Sequence, residues 1–201
     1  MGKTLYLMRH GETMFNEQQR IQGWCDSPLT ERGREQARVA GRILAERGVV
    51  FDHAVCSTAE RASDTLELVL ETMGQPLPYE RMKALKERFH GKLEGESERL
   101  NHGISIDEMD ALLALCGGER RADVPRRTVP ALLEVMARPA CQCVLAVSHA
   151  GASLATVSEF ADVDRLRAEG FGNCTIWVLD YLEPAADAPA AFELREVIHP
   201  A

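Results

Sequence analysis

The chain predicts an α/β fold, a single-domain three-layer α/β/α sandwich around a mostly parallel central sheet. Three observations predict it. Short apolar runs alternate with longer amphipathic segments for most of the length. The run at 142–148, QCVLAVS, is apolar between its polar ends, as befits a strand covered on both faces. The 201 residues, 45% hydrophobic and 27% charged, have ordinary globular proportions and are enough to bury one core.

The elements follow in order. Residues 3–8 (KTLYLM) read as a short buried strand. Thr30 to Arg47 predicts a helix, with Thr30 as its cap, Ala37, Ala40, Ile43 and Leu44 as its apolar face, and Gly48 as its stop. FDHAVCS (51–57) is a second strand, and Ala59 to Met73 a second helix, ended by Gly74 and Pro76. Residues 85–122 are broken by glycines and hold a helix near 106–115, and are expected to form an irregular cap over a site. A helix over 126–137 follows Pro125, then the strand 142–148 and a helix over 151–160. Strands at 174–182 and 192–198, joined by an Ala/Pro-rich loop, complete one domain over 1–201, with no internal repeat or linker.

Composition narrows the function classes. A net charge of −8 argues against nucleic acid or an anionic membrane as partner. No stretch approaches the roughly 20 apolar residues of a membrane span. The N-terminus MGKTLYLMRH lacks a signal-peptide h-region, and Leu5 and Tyr6 make a poor myristoylation sequence after Gly2. The six cysteines are scattered, and Cys141-Gln-Cys143 has no second pair at zinc-ribbon spacing, so free thiols in a cytoplasmic protein are expected. His53, His90, His102 and His199 show no metal-ligand spacing. Oligomeric state stays open.

An acidic protein that binds an anion must gather its cations, and the strand ends do so. The first ends in Arg9-His10-Gly11-Glu12-Thr13, the second in Ser57 with Arg61 one helical turn on, and the third in Ser148-His149-Ala150-Gly151. In a parallel sheet these converge on one rim, where α/β folds bind ligands. Two guanidiniums can each grip a phosphoryl group, helix N-termini add N–H donors, and Gly11 permits close backbone approach. A neutral imidazole attacks phosphorus when its other ring nitrogen is tied by a hydrogen bond. Taken singly, each of these residues has an ordinary structural explanation; their convergence points to phosphoryl chemistry.

Arg9-His10-Gly11-Glu12-Thr13 with Asn16, Gln22-Gly23-Trp24 and Asp26-Ser27-Pro28-Leu29-Thr30 resembles the histidine phosphatase (phosphoglycerate mutase-like) superfamily. The resemblance continues through Ser57, Arg61-Ala62, Thr65, Leu85-Lys86-Glu87-Arg88, Gly91, Glu94-Gly95, Ser148-His149 and Gly172-Asn173-Cys174-Thr175, in order over nearly the whole chain. It implies His10 as a nucleophile that becomes phosphohistidine, with Arg9, Arg61 and His149 binding the phosphoryl oxygens. Thr13 and Asn16 would complete the pocket, and Gln22 and Gly23 its rim. Glu87 would protonate the leaving oxygen and then activate water. No metal or other cofactor is implied; the partner is a small phosphorylated substrate.

The sequence departs from the family pattern at Ala150, where glycine is usual, at Asp64, where glutamine is common, and at Ala59, where leucine is common. His90 stands where the true mutases have tyrosine, and their long substrate-capping insertion is not found, which favours hydrolysis at an open site. The alternatives are a 2,3-bisphosphoglycerate-dependent phosphoglycerate mutase and a catalytically idle phosphate-binding module. The basic run Arg120-Arg121 and Arg126-Arg127 reads as a solvated helix face, with a substrate entrance as its alternative.

Overall fold

The computed structural model describes residues 2–162, 166, 170–185 and 188–200. Its six-stranded sheet has the order β3-β2-β4-β1-β5-β6, with β1 Thr4–Arg9, β2 His53–Ser57, β3 Glu80–Met82, β4 Cys143–Ser148, β5 Ile176–Leu182 and β6 Ala191–Ile198. The pairs β1–β4, β4–β2 and β2–β3 are parallel, while β5 runs antiparallel to both of its neighbours. The sheet is mostly parallel, as expected.

Helices cover both faces, and the period of two along each strand divides the core accordingly. Met8, Leu145, Val147 and Ile176 face Ala37, Ala40, Leu66 and Val69 of α2 (Glu31–Glu46) and α3 (Glu60–Thr72). Leu5, Leu7, Val144 and Ala146 face Leu132, Val135 and Met136 of α5 (Val124–Ala137) and Val157 of α6 (Ala150–Val157). The Thr30 side chain caps α2 by accepting from Gly33 N–H, and Gly48, at φ 70°, stops it.

Some boundaries shift. α5 begins two residues earlier than expected because Pro125 sits inside its first turn, where no N–H is needed. α6 starts at Ala150 and ends at Val157. A four-residue helix, α1 (Met14–Glu17), closed by a Thr13–Asn16 capping box, and the edge strand β3 were not foreseen. Residues 83–123 consist of short 3-10 turns and α4 (Ile106–Leu115). The Ala/Pro-rich loop before β6 falls partly outside the described residues.

Candidate active site

The register of the central strands builds the site. Arg9 pairs with Ser148 across β1 and β4, so His10 and His149 emerge as neighbours, and Ser57 ends β2 on the other side of β4. Arg9, His10, Asn16, Gln22 and Glu87 line one cleft of ≈ 250 Å³, joined by Glu98, Arg88 and His90.

His10 is 4% exposed, and its Nδ1 lies 2.7 Å from the Gly11 carbonyl oxygen. A carbonyl only accepts, so Nδ1 carries the proton and Nε2 keeps its lone pair. Burial, then Arg61 and Arg9, hold the His10 pKa well below the usual histidine value, so the ring is neutral. Gly11 N–H donates to Thr65 Oγ1 at 3.0 Å. Gly11 and Gly33 lie back to back: a Cβ on Gly11 would stand 2.4 Å from Gly33 O, and one on Gly33 2.0 Å from Glu12 O. Neither position has room for a side chain.

His149 is fully buried and neutral for the same first reason, burial, reinforced by Arg61 and His10. Its Nε2 lies 2.8 Å from Ser57 Oγ, which itself accepts from Ala59 N–H at 3.2 Å. Ser57 Oγ thus ties His149 Nε2 in one hydrogen bond, and Nδ1 is buried without a partner. Arg9 Nε and Arg61 Nε are likewise buried without partners. Buried polar atoms are rarely orphaned, so two unsatisfied guanidinium donors beside an unpartnered ring nitrogen fit a site for an anion. Arg9 Nη1 donates to Phe171 O at 2.7 Å, and burial lowers the guanidinium's pKa from its ordinary value.

Glu87 is 7% exposed and sits against the start of α6. Gly151 N–H donates to its Oε2 at 2.9 Å, and Ala152 N–H and Arg88 N–H donate to Oε1 at 2.8 and 2.7 Å. The α6 N-terminus therefore serves Glu87, a correction to the expectation that its N–H groups are free for phosphate. The α3 N-terminus is likewise engaged, Glu60 N–H donating to Asp26 Oδ2 at 2.5 Å.

Arg61 does not line the cleft wall; it is fully buried, donating to Gly23 O at 2.8 Å, Cys25 O at 3.0 Å and Asp26 Oδ1 at 2.8 Å. Thr13 is fully buried too, its hydroxyl donating to Gln22 Oε1 at 2.7 Å, while Gln22 Nε2 donates to Ser27 Oγ at 3.0 Å. Asn16 Oδ1 accepts from Thr13 N–H at 3.2 Å and Asn173 Nδ2 at 3.3 Å. Gly23 is packed against Arg88 O and the His90 ring. Thr13, Gly11 and Gly23 thus shape the cleft from behind.

Ala150 avoids the left-handed region, where only Gln19 and Cys174 lie among the described non-glycine residues, so its methyl adds no backbone strain. Several working residues escaped the sequence. Arg127 reads as a solvated helix position, yet it donates to Ala84 O, Lys86 O and Glu87 O at 2.6, 2.7 and 3.0 Å and pairs with Glu119 at 2.7 Å, bracing the Glu87 loop. Glu94 pins the facing loop: burial alone would raise its carboxyl, but N–H bonds from Trp24, Cys25 and His90 hold it below the usual range. Among the described residues no group of three or more His, Cys, Asp or Glu is arranged to hold a metal ion, and no helix is long and apolar enough to cross a membrane.

Known proteins share this fold. A phosphoglycerate mutase structure from Bacillus anthracis str. Sterne superposes with TM-score 0.76 at 26% identity, over 96% of this chain and 92% of that one. A mycobacterial glucosyl-3-phosphoglycerate phosphatase superposes with TM-score 0.73 at 27% identity, over 96% and 98%. A 2,3-bisphosphoglycerate-dependent phosphoglycerate mutase from Hamiltonella defensa subsp. Acyrthosiphon pisum is 44% identical over 94 residues, 46% of this chain and 38% of that protein. The match spans less than half the length of that relative. The sequence profile of the histidine phosphatase superfamily (branch 1) matches residues 5–188, and the chain belongs to that superfamily.

Proposed function

We propose that the protein is a metal-independent phosphomonoesterase that hydrolyses a small phosphorylated metabolite through a phosphohistidine on His10. The observation that carries this reading is the fixed His10 tautomer. Nδ1 is tied to Gly11 O, and Nε2 is left bare beside Arg9 and on the same cleft as Glu87.

Nε2 attacks phosphorus, and the bond from phosphorus to the leaving oxygen breaks. Glu87 delivers a proton to that oxygen. In the second step Glu87 takes a proton from water, the oxygen bonds to phosphorus, and the phosphorus–nitrogen bond breaks to regenerate neutral His10. The phosphoryl charge falls to Arg9, to the unpartnered Nδ1 of His149, which meets the anion as an N–H, and to Arg61, whose Nε is open while its other donors hold residues 23–26. Strand ends hold the nucleophile rigidly, and such placement supplies much of the acceleration. Residues 85–122 act as an irregular cap, and the activity is assigned to the cytoplasm, in keeping with six unpaired cysteines.

Hydrolysis rather than transfer is supported by the segment over 91–101, which holds only two short 3-10 turns and no long insertion to close over the cleft. The mutase reading is supported in turn by the names of the curated relatives. Phosphate release from a phosphomonoester panel in EDTA, with and without 2,3-bisphosphoglycerate, decides between them. Metal-independent release that vanishes in His10→Ala is expected. Bisphosphate-dependent conversion of 3- to 2-phosphoglycerate without release would give the case to the mutase. Neither activity, in folded protein that binds phosphate, would mark an idle binding module.

A further inference from the structure

We infer that Glu98 selects the leaving group: the cleft accepts phosphomonoesters whose leaving group presents a hydroxyl or an ammonium, and turns away those that carry a carboxylate. The inference rests on the phosphomonoesterase reading of the same site.

Glu98 begins a 3-10 turn over Glu98–Asn101, and its backbone is well anchored. Glu98 N–H donates to Gln19 O at 2.8 Å, Ile21 N–H to Glu96 O at 2.8 Å, and Arg20 bridges Ser97. The half-buried side chain lines the cleft with Arg9, His10 and Glu87. Its carboxylate has no hydrogen bond or ion pair among the described residues, whereas Glu87 and Glu94 are engaged by backbone N–H, Asp110 by Arg88 and Glu119 by Arg127. Burial raises the Glu98 pKa, and Arg9 and then His102 oppose that rise. A held acceptor on the cleft wall that no protein donor engages is free to take a donor from the ligand in place of water.

The charges around it point the same way. Arg9 and Arg88 are the arginines on the cleft. Arg88 is committed to Asp110 and, through Nε at 2.7 Å, to Glu119 O. Burial lowers the His90 pKa, which leaves that ring neutral near pH 7. Arg9 neighbours the nucleophile and serves the phosphoryl group. Among the described residues of the cleft, no cation therefore remains for a second anion, and a carboxylate on the leaving group would meet Glu98 instead. A hydroxyl or ammonium would donate to it, and the ammonium would gain a charge-assisted bond.

Calorimetric binding to His10→Ala, in which nothing is turned over, tests this with three ligands: sn-glycerol 3-phosphate, phosphoethanolamine and 3-phosphoglycerate. With Glu98 intact, each donor-bearing ligand is expected to bind at least tenfold more tightly than 3-phosphoglycerate. Glu98→Lys should invert that order, shifting the ratio by 100-fold or more, and Glu98→Gln, which keeps the shape and loses the charge, should shift it about tenfold. A ratio moved less than threefold by both substitutions overturns the inference, as does an intact protein that prefers 3-phosphoglycerate. The order of the two donor ligands tells hydroxyl from ammonium. Because each result is a ratio within one protein, a variant of lowered stability still reports. p-Nitrophenyl phosphate hydrolysis by the unaltered protein in EDTA tests the phosphatase reading separately, so either idea can fail alone.

Discussion

The His10 and His149 rings leave adjacent parallel strands with their centroids 5.2 Å apart and their planes inclined at 65°. The His10 N–H donates to Ser148 O at 3.0 Å, so the backbone itself sets that spacing. Two imidazoles this close, beside Arg9 and Arg61, can share the site only while uncharged, and both pKa values lie well below 6.5, chiefly through burial.

That neutrality makes folding sensitive to acid. Below pH 6.5 the unfolded chain protonates both histidines while the folded chain does not, so the unfolded state binds more protons and stability falls as pH falls. Above pH 6.5 the contribution is flat. Each histidine adds a slope of up to about 1.4 kcal/mol per pH unit. Urea unfolding at pH 7, 6 and 5 should show the decline, and His10→Ala should flatten it between pH 6 and 5; an equal slope in both proteins would contradict it.

Glu87→Gln should keep the N–H contacts to at least one side-chain oxygen and lose proton transfer. The expected fall in kcat is about 10²- to 10⁴-fold. The loss should be smallest for p-nitrophenyl phosphate, whose leaving group needs little protonation. A uniform loss across leaving groups would count against Glu87 as the acid.

Arg127→Ala should remove the brace behind Glu87 and leave Glu119 short of its cation. About 2–3 kcal/mol of stability should be lost, read from urea midpoints. As a positioning residue, Arg127 should lower kcat for substrates with poor leaving groups more than it raises KM. A purely structural role would change the amount of active protein and leave that leaving-group dependence as it was.

Gly33→Ala should destabilise by about 1–3 kcal/mol, because the new methyl would press on Glu12 O in the loop that carries the nucleophile. Gly48→Ala, at φ 70° with nothing within 4 Å of the added carbon, should lose only about 1 kcal/mol and leave activity intact. Comparing kcat and urea midpoint for the pair separates a close approach from a backbone preference.

The rim was legible in the sequence for a simple reason: Arg9-His10, Ser57 and Ser148-His149 each follow an apolar run, and a parallel sheet sends all such ends the same way. β3 was not legible, since Glu80-Arg81-Met82 has no apolar pattern and exists through its pairing with β2. α1 carried a readable signal, the Thr13–Asn16 capping box. The tasks of Asp26, Glu94 and Arg127 were hidden because they depend on contacts between distant loops, as in the Arg127 bonds to residues 84–87. Arg61 was found as a residue but not in its setting, since no local pattern foretells that residues 23–26 would enclose it.

The loop after β1 is fastened from three directions. His10 N–H is tied to β4, Gly11 N–H to Thr65 on α3, and Gly11 and Glu12 to α2 through Gly33 and the 2.9 Å bond from Glu12 N–H to Gln36 Oε1. This is a kinematic mount, in which supports from separate bodies leave the held part no free direction. The nucleophile cannot come loose by fraying of any one element, because the other two still locate it. Its amide hydrogens should therefore exchange with solvent almost as slowly as those of the central strands, and the loop that does the chemistry should be among the last parts of the molecule to open.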